Sequence, residues 1–456
     1  MTSCLLAASF ALPSKIAYAA ENGWVIEGSA HYYYKNGIQV RGLQKIGKYK
    51  YYFHLKTGKM LKSKWKQIDN NYYFFKSNGR MAKNQWISKK YYVDSKGVRV
   101  TNRWIKNKFV GEDGRWIKNF KGGWQQIGGK WYYYTSKGKK KTGWLTYKGS
   151  RYYLDANGVR VTKMQRIKKK DYYFTKKGVL QNNGWVKTGK WYYHADAKGI
   201  LDTRERINAK SMYAATQIEY NTGTLKIRLQ RFQNYGTTYW TARVTISNIS
   251  QTKAAVSYGT YGGTRQTTSN AVAQNRAVIG INGSAFSYSS GKPGFDAVML
   301  KNGTIYNKAL GTSYSLMAIS RDGTMFSPSQ GLSAVQLKKG GVRDTFNFGP
   351  ILLRDGKPAS LYDQGYPQVY ASPDMTGPYP RSAAGMIRPG EYVLLVCNAP
   401  GLTLAQMRTI FRQHGCTYAY NMDGGGSATM AYRGYIMNNP TDGTERPCGD
   451  FLLFGE

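Results

Sequence analysis

Two consecutive stretches decide the fold of the first half of the chain: residues 123–142 read GWQQIGGKWYYYTSKGKKKT, and residues 143–162 read GWLTYKGSRYYLDANGVRVT. Each stretch opens with Gly-Trp, continues to adjacent tyrosines and reaches a glycine four to five residues before its end. Segments that share one skeleton at a fixed spacing indicate a repeat architecture, in which each unit is one supersecondary element.

The same skeleton extends in both directions, over residues 23–202, as about nine units of about 20 residues. Ten of the 11 tryptophans lie in this region, so aromatic content is a property of the repeat. The leading tryptophans are Trp24, Trp65, Trp86, Trp104, Trp124, Trp144 and Trp185. The turn glycines are Gly37, Gly58, Gly79, Gly97, Gly114, Gly138, Gly158, Gly178 and Gly199.

Each unit has the composition of a β-hairpin. Aromatic residues favour strands, and the Asn-Gly pairs at 36–37, 78–79 and 157–158 supply the positive φ of a tight turn. One hairpin alone is barely stable in water, but stacked hairpins bury their aromatic residues against the next unit. The sequence therefore predicts an N-terminal β-hairpin solenoid.

This layout resembles the choline-binding and glucan-binding repeats of Gram-positive cell-wall proteins. The resemblance implies aromatic grooves that hold choline by cation–π attraction. Lysines crowd the units, as at 137–141 and 168–170, and their charge opposes a cationic ligand while attracting phosphate. We therefore expect an anionic wall polymer, teichoic acid or glycan, as the partner. Choline binding and a pure spacer role stay open as alternatives.

Charge is concentrated in the repeats: residues 1–200 hold 42 of the 67 Lys and Arg residues but nine of the 24 Asp and Glu residues. Such a field concentrates a polyanion at the surface. No nucleic-acid-binding motif accompanies the charge, so we expect no nucleic-acid partner. No apolar run approaches the roughly 20 residues that span a bilayer, and we expect no transmembrane segment.

The N-terminus resembles an export signal. The apolar run Cys4–Leu12 precedes Ala17-Tyr18-Ala19, which has the small-residue pattern of a signal-peptidase site. We interpret residues 1–20 as a signal peptide and the protein as secreted. Three cysteines follow, at 397, 416 and 448. A Cys416–Cys448 bridge and buried free thiols are both open.

After the repeats, residues 203–212 are interpreted as a linker with some helical character, and residues 213–456 as a sheet-dominated α+β catalytic domain. One helix is strongly indicated: Thr403 and Gln406 form a capping box, and Gly415 suits the helix end. The predicted strands are Leu225–Arg228, Trp240–Ile246, Ala277–Ile281, Asp296–Leu300 and Tyr392–Cys397.

The strongest chemical signal is NMDGGGSATM at residues 421–430. Three glycines, Gly424, Gly425 and Gly426, let backbone N–H groups converge on an anion without Cβ clashes. Asp423 adds a carboxylate, and Ser427 and Thr429 add hydroxyl groups. A merely flexible turn is the alternative.

Further motifs accompany this stretch in a fixed order: Asn282–Phe286, Phe348–Pro350, Arg381–Gly385, Asn438–Pro440 and Gly443–Arg446. Together they resemble the phosphodiester glycosidase family, from about Ile218 to the end of the chain. The resemblance implies hydrolysis of a sugar-1-phosphodiester at the anomeric C–O bond, leaving a phosphomonoester.

Roles follow for the matching residues. Asp423 is the first candidate for the catalytic carboxylate and Glu445 the second, since glycoside hydrolysis usually needs two. Arg381 and Arg446 are candidate phosphate ligands, because guanidinium groups bind phosphate bidentately. Asn282 is a further candidate for substrate binding, with Gly424, Gly425, Gly426, Ser427 and Thr429. No metal-ligand cluster is legible, and the cofactor requirement is open.

The resulting hypothesis is a secreted hydrolase that is attached non-covalently to the cell wall and cleaves sugar-1-phosphodiester linkages in envelope polymers or glycans. The alternative is a non-catalytic surface adhesin that binds wall polymers and phosphosugars. Three structural roles also stay open for individual residues: an ion pair of Glu445 with Arg446, a strand-end role for Arg381 and a turn cap for Asn282.

Overall fold

The computed structural model describes residues 22–286, 297–308, 315–360 and 373–456. Residues up to Thr162, together with Lys176–Leu180, form one compact unit, and Lys163–Thr175, together with Gln181–Glu456, form the other. Among the described residues, no helix combines the length and apolarity needed to cross a membrane.

The repeats are nine antiparallel hairpins in the described chain, as predicted. Two of them carry a third short strand, Ile38–Gln39 or Trp116–Ile117. In the first unit the hairpin strands are Asn22–Glu27 with Ala30–Lys35, Gly42–Ile46 with Tyr49–Phe53, Lys64–Ile68 with Asn71–Phe75, Gln85–Ile87 with Tyr91–Val93, Arg103–Ile105 with Lys108–Val110, Gly123–Ile127 with Lys130–Tyr134, and Gly143–Tyr147 with Ser150–Leu154. In the second unit they are Lys163–Ile167 with Lys170–Phe174, and Gly184–Thr188 with Trp191–Ala195.

Most turn glycines of the repeat lie outside the hairpin loop itself. In the hairpin of residues 143–154, the loop is Lys148-Gly149, with φ of +48° and +75°. Gly158 instead closes a second turn after the hairpin, where its N–H donates to Asp155 O over 2.9 Å. The chain then runs back along the preceding hairpin, and Arg160 N donates to Trp131 O over 2.8 Å. The conspicuous glycine therefore serves the connection between units.

The second unit is built on an 11-stranded antiparallel sheet. The segment expected as a linker contributes to it: Glu205–Ile207 is a strand that pairs with Gln217–Asn221, so the expected helical character of residues 203–212 is wrong. In spatial order the strands are Gly184–Thr188, Trp191–Ala195, Glu205–Ile207, Gln217–Asn221, Leu225–Asn234, Thr237–Ile246, Glu391–Cys397, Ser382–Arg388, Tyr418–Met422, Ile351–Arg354 and Lys357–Pro358.

Smaller sheets and short helices complete this unit. A five-stranded sheet has the order Ala255–Val256, Asp450–Gly455, Ala277–Asn282, Met430–Tyr432 and Tyr435–Ile436. The remaining strands are Met325–Phe326, Ser315–Ser320 and Val342–Phe348 in one sheet, and Met299–Lys301 and Thr304–Asn307 in another. Within the described residues, the α-helices are Thr268–Gln274, Ala334–Lys339, Pro373–Thr376 and Leu404–Gln413.

The predicted helix is confirmed in detail. It spans Leu404–Gln413, is capped by Thr403 through the predicted box, and buries Leu404, Met407, Ile410 and Phe411. These residues cover one face of the large sheet against Val393 and Leu395. The other face shares a core with the smaller sheets, through residues such as Ile227, Leu394, Ile281 and Leu452. The domain is sheet-dominated, as predicted.

The cysteines are free thiols. Cys397, Cys416 and Cys448 are each buried and unbridged, so the alternative of a Cys416–Cys448 disulfide is wrong. Burial raises the pKa of the Cys397 thiol to about 11, and the pKa of Cys448 is raised still further. Thiols that stay protonated at neutral pH behave as small apolar core residues.

Candidate active site

The glycine-rich stretch is the connection between two sheets. Tyr418–Met422 belongs to the large sheet and Met430–Tyr432 to the five-stranded sheet. Between them the chain makes a single 3₁₀ turn at Gly425–Ser427. Gly425 N donates to Pro380 O over 2.9 Å, which ties the turn to the segment before Ser382–Arg388. Asp423 thus lies where the two sheets meet.

Close approach of neighbouring groups requires the glycines. A Cβ on Gly424 would lie 2.7 Å from Pro380 O, and one on Gly426 would lie 2.1 Å from Arg446 Nη2 and 2.2 Å from Asp442 Oδ2. Gly425 has a φ of +57°, a conformation that L side chains rarely adopt. The three glycines therefore let backbone, guanidinium and carboxylate groups pack closely against the turn that follows Asp423.

Asp423 has the electrostatics of a proton-transfer group. Burial raises the pKa of its carboxyl to about 6. The Ser427 hydroxyl, the Gly424 N–H and the positive charge of Arg446 oppose this shift by favouring the ionised form, whereas the charge of Asp450 adds to it. The Gly424 N–H donates to Asp423 Oδ1 over 3.0 Å. A carboxyl that titrates near neutral pH suits general acid–base chemistry.

The Asn282 side chain hydrogen-bonds to both ends of the glycine-rich stretch. Its amide Nδ2 donates to Asp423 O over 2.8 Å, and its Oδ1 accepts from Thr429 N over 3.1 Å. The side chain is fully buried. Both ends of the amide are therefore engaged by the ends of the glycine-rich stretch, which favours a positioning role for Asn282, and its contact with substrate stays a prediction.

Arg381 is also a structural residue. Its side chain is 1% exposed, and its guanidinium donates to three backbone carbonyls, at Leu402 (2.7 Å), Met375 (3.0 Å) and Gly377 (3.1 Å). With its donors bound to these carbonyls, Arg381 fixes the segment that supports Gly425. These hydrogen bonds and the burial of the side chain favour the alternative of a structural role, and the role of Arg381 as a phosphate ligand stays a prediction.

Arg446 and Glu445 are adjacent in sequence but contact different residues. Arg446 lies against Gly426, donates to Asp442 Oδ2 through Nε over 3.0 Å, and acts electrostatically on Asp423. Glu445 instead accepts hydrogen bonds from Ser269 N (2.6 Å) and Ser269 Oγ (2.5 Å) in the first turn of the helix Thr268–Gln274. The Glu445 carboxylate is therefore held by that helical turn, and its role as the second catalytic carboxylate stays a prediction.

Two hydroxyl groups complete the enclosure of the turn. Ser427 and Thr429 are buried, and Ser427 lies beside the Asp423 carboxyl. The Thr429 hydroxyl has no hydrogen-bond partner within the described ranges. A buried unpaired hydroxyl costs free energy unless a ligand or water satisfies it. As substrate contacts, the three glycines, Ser427 and Thr429 stay predictions.

A second cluster of charged side chains includes Asp450, whose charge acts on Asp423. The sequence motifs did not predict this cluster. Lys301 Nζ and Asp450 Oδ2 are 2.7 Å apart, with side chains 1% and 0% exposed. Ser284 donates to both Asp450 oxygens, through its N–H (2.6 Å) and its hydroxyl (2.7 Å). The sequence contains a signal for it: Asp450 directly precedes the apolar FLLF run of residues 451–454, and Lys301 directly follows the AVML run of residues 297–300. Charges at the ends of buried strands are rarely left without partners.

Glycine and backbone contacts connect this cluster to Asp423. Gly283 N donates to Asp450 O over 2.9 Å, and Asp423 N donates to Gly283 O over 3.1 Å. Gly283 thus links the backbone of Asp423 to the backbone of Asp450, the acidic member of the buried ion pair. Across the residues that the structure describes, no group of three or more His, Cys, Asp or Glu side chains could hold a metal ion.

Three family models match stretches of the chain. Residues 275–455 match the family described as Phosphodiester glycosidase. Two families of choline-binding repeats match residues 59–97 and 80–116, and residues 22–65 and 121–160. A curated relative, the uncharacterized SPbeta prophage-derived protein YomE of Bacillus subtilis, is 29% identical over 197 residues, or 41% of this chain. The match spans 29% of the length of YomE.

Two solved structures show weak similarity to the chain. The catalytic domain of zebrafish N-acetylglucosamine-1-phosphodiester alpha-N-acetylglucosaminidase is 16% identical, with a TM-score of 0.41, and the match covers 55% of this chain and 87% of that one. Choline-binding protein F of Streptococcus pneumoniae is 20% identical, with a TM-score of 0.23, and covers 48% and 90%. The chain thus contains a stretch that matches the Phosphodiester glycosidase family, at residues 275–455, and stretches that match choline-binding repeats between residues 22 and 160.

Proposed function

We propose that the chain is a secreted, wall-attached hydrolase that cleaves sugar-1-phosphodiester linkages in envelope polymers or glycans. The family match over residues 275–455 supports the reaction class. The observation that carries the proposal is the Asp423 carboxyl, enclosed by the glycine-rich turn, with a pKa raised to about 6 and the Arg446 charge acting on it. The repeats support non-covalent attachment to the wall.

In the proposed reaction, water attacks the anomeric carbon and gives its proton to the Asp423 carboxylate. The C1–O bond breaks, and its electron pair stays on the phosphate oxygen, which leaves as a phosphomonoester. Such a leaving group needs little acid catalysis, so stabilisation of its charge by Arg446 can replace a second carboxyl group. A reaction that needs one catalytic carboxylate fits a site in which Glu445 is hydrogen-bonded to Ser269.

The reaction is tested with the methyl ester of N-acetylglucosamine-α-1-phosphate in ¹⁸O-labelled water. Cleavage at the anomeric carbon puts the label in the released sugar and leaves methyl phosphate unlabelled. Label in the phosphate would contradict the proposed bond cleavage. Substrate that is retained without any release would instead favour the non-catalytic binding protein.

The pH profile adds an independent test. Because the proposed base must be ionised, kcat falls as the pH drops through about 6, the pKa of Asp423. A rate that stays constant from pH 5 to pH 8 would remove Asp423 from the role of base.

A further inference from the structure

One position recurs between the stacked repeats. The residue two places after a turn glycine packs against the turn glycine of the next unit: a Cβ on Gly79 would lie 2.3 Å from the sulfur of Met60, and one on Gly114 would lie 3.0 Å from Cδ of Arg99. The residues at this position include Met60, Met81, Arg99, Lys140 and Arg160, which face Gly79, Gly97, Gly114, Gly158 and Gly178 in that order. We call it the stacking position.

An aromatic groove of constant geometry accompanies the stacking position. Trp24 and Tyr51 have ring centroids 5.0 Å apart at 70°. The equivalent rings are 5.5 Å apart at 71° for Trp65 and Tyr91, and 4.9 Å apart at 61° for Trp124 and Tyr152. Edge-to-face pairs of this kind leave one indole face available for a further contact. Three grooves therefore offer nearly the same aromatic surface.

The occupants of these grooves differ. At the Trp24 groove the stacking position is Met60, which packs with Tyr51. No Lys or Arg side chain of the described residues lies over Trp24, which is 41% exposed. At the Trp65 groove, the guanidinium carbon of Arg99 is 4.2 Å from the Tyr72 centroid and 5.8 Å from the Trp65 centroid.

The third groove repeats the second. The guanidinium carbon of Arg160 is 5.5 Å from the Trp124 centroid and 5.2 Å from the Trp131 centroid. These distances lie within the range of cation–π attraction. Arg99 and Arg160 therefore take the place in which an external cation would contact the same rings.

Neither guanidinium has its charge neutralised nearby. In the described chain, no carboxylate lies within ion-pair distance of Arg99 or Arg160, and the Nε atom of each is buried without a hydrogen-bond partner. An arginine held between aromatic rings, without a carboxylate at ion-pair distance, keeps a positive charge that attracts phosphate. It also repels a quaternary ammonium group that approaches the same rings.

We propose that the Trp65 and Trp124 grooves are closed to choline by Arg99 and Arg160 and bind phosphodiester groups of an anionic polymer, whereas the Trp24 groove with Met60 accepts a quaternary ammonium. The array then carries both cation-binding and anion-binding grooves on one scaffold. This proposal rests on the proposed attachment to a wall polymer and is independent of the hydrolysis.

The stacking position supplies its own matched variants, because Met and Arg both occur there. The double variant Arg99→Met/Arg160→Met keeps a side chain that the scaffold already accommodates next to Gly79. In calorimetric titration of the full chain with choline chloride, we expect two binding sites more than in the wild type. Affinity for synthetic poly(glycerol phosphate) should fall about tenfold at low salt, the scale of one lost charge-assisted contact.

Two further variants keep the proposal falsifiable. Met60→Arg should remove the choline site of the Trp24 groove. Lys137→Met/Lys177→Met removes the same charge from exposed positions and should lower polymer affinity clearly less than the arginine pair does. Unchanged choline stoichiometry in both Met60→Arg and the folded double variant overturns the proposal, as does equal loss of polymer affinity in the two charge-matched pairs. Sedimentation with walls tests the attachment separately, since it can persist when the groove assignment fails.

Discussion

The repeat array and the site around Asp423 are stabilised over very different chain separations. In the array, hydrogen-bonded pairs such as Gly143 with Leu154 lie within one unit, so a short stretch of sequence contains its own partners. At the site, Asn282 bonds to Asp423 and Lys301 pairs with Asp450, so both contacts join residues that are far apart in the sequence. A local period can be read directly, whereas contacts between distant segments form only when the sheets pack. We therefore expect substitutions at the site to have large effects and those in the array small ones.

The largest effect is expected at the proposed base. Asp423→Asn keeps the shape of the side chain but cannot accept a proton from water, so kcat should fall about 10³-fold, within the range for general acid–base catalysis. Initial rates on the synthetic phosphodiester measure it, and circular dichroism confirms folding. The control is Asp355→Asn, an exposed turn residue of the same domain, for which kcat should not change. A folded Asp423→Asn protein with near-normal kcat would contradict the mechanism.

The next largest effect concerns stability. Asp450→Asn leaves the Lys301 ammonium, 1% exposed, without its counterion, and removing one member of a buried pair costs about 3–5 kcal/mol. In the array, the equivalent change Asp113→Asn affects a pair at 3.7 Å whose side chains are 64% and 40% exposed, and water screens such pairs, so we expect little change in the free energy of unfolding. Urea denaturation measures both free energies of unfolding.

A double variant sharpens this comparison. Burial lowers the pKa of Lys301 and the charge of Asp450 raises it, so Lys301→Met removes the charge that Asp450→Asn leaves exposed to an apolar core. The free energy of unfolding should therefore fall by less in the double variant than the sum of the decreases in the two single variants. Additive losses would mean that the two side chains act independently, against the geometry of the pair.

The sequence predicted most where structure is local. The nine hairpins and the helix beginning after Thr403 follow from periodicity and capping, which depend on residues within one element. The glycine-rich stretch was also recognised, because three consecutive glycines with an aspartate are conspicuous. The expectation that residues 203–212 have helical character failed because Glu205–Ile207 gains its partners from Gln217–Asn221, and strand pairing overrides weak local preference.

Side-chain roles at the site could not be derived from residue type. Arg381 and Arg446 are the same residue, yet one bonds to backbone carbonyls in the core and the other acts on Asp423. Glu445 and Asp450 are both acidic, but Glu445 bonds to Ser269 in a helical turn and Asp450 neutralises Lys301. These differences depend on which backbone groups each side chain meets after folding, and a motif does not contain that information.

A smaller effect is expected from crowding the site. Gly426→Ala would place a Cβ 2.1 Å from Arg446 Nη2, so the guanidinium must move away from the turn. We expect kcat/KM to fall about tenfold, or about 1.4 kcal/mol of transition-state stabilisation. Gly340→Ala is the control, because its Cβ would meet its nearest neighbour at 3.3 Å, far from the site residues. Equal kinetics for both variants would mean that the position of Arg446 does not affect the reaction.

The smallest effect is expected in the array. Gly149 has a φ of +75° and open space around its missing Cβ, so Gly149→Ala costs only backbone strain, about 1 kcal/mol. Gly149→Asn should cost clearly less, because asparagine tolerates the left-handed conformation. Denaturation of the array, followed by tryptophan fluorescence, measures the difference, and hydrolysis by the full chain should be unaffected in both. If Gly149→Asn is as destabilising as Gly149→Ala, the positive φ is not the reason for glycine at this position. If either substitution also lowers the rate of hydrolysis, the effect of a change in the array is not confined to the array.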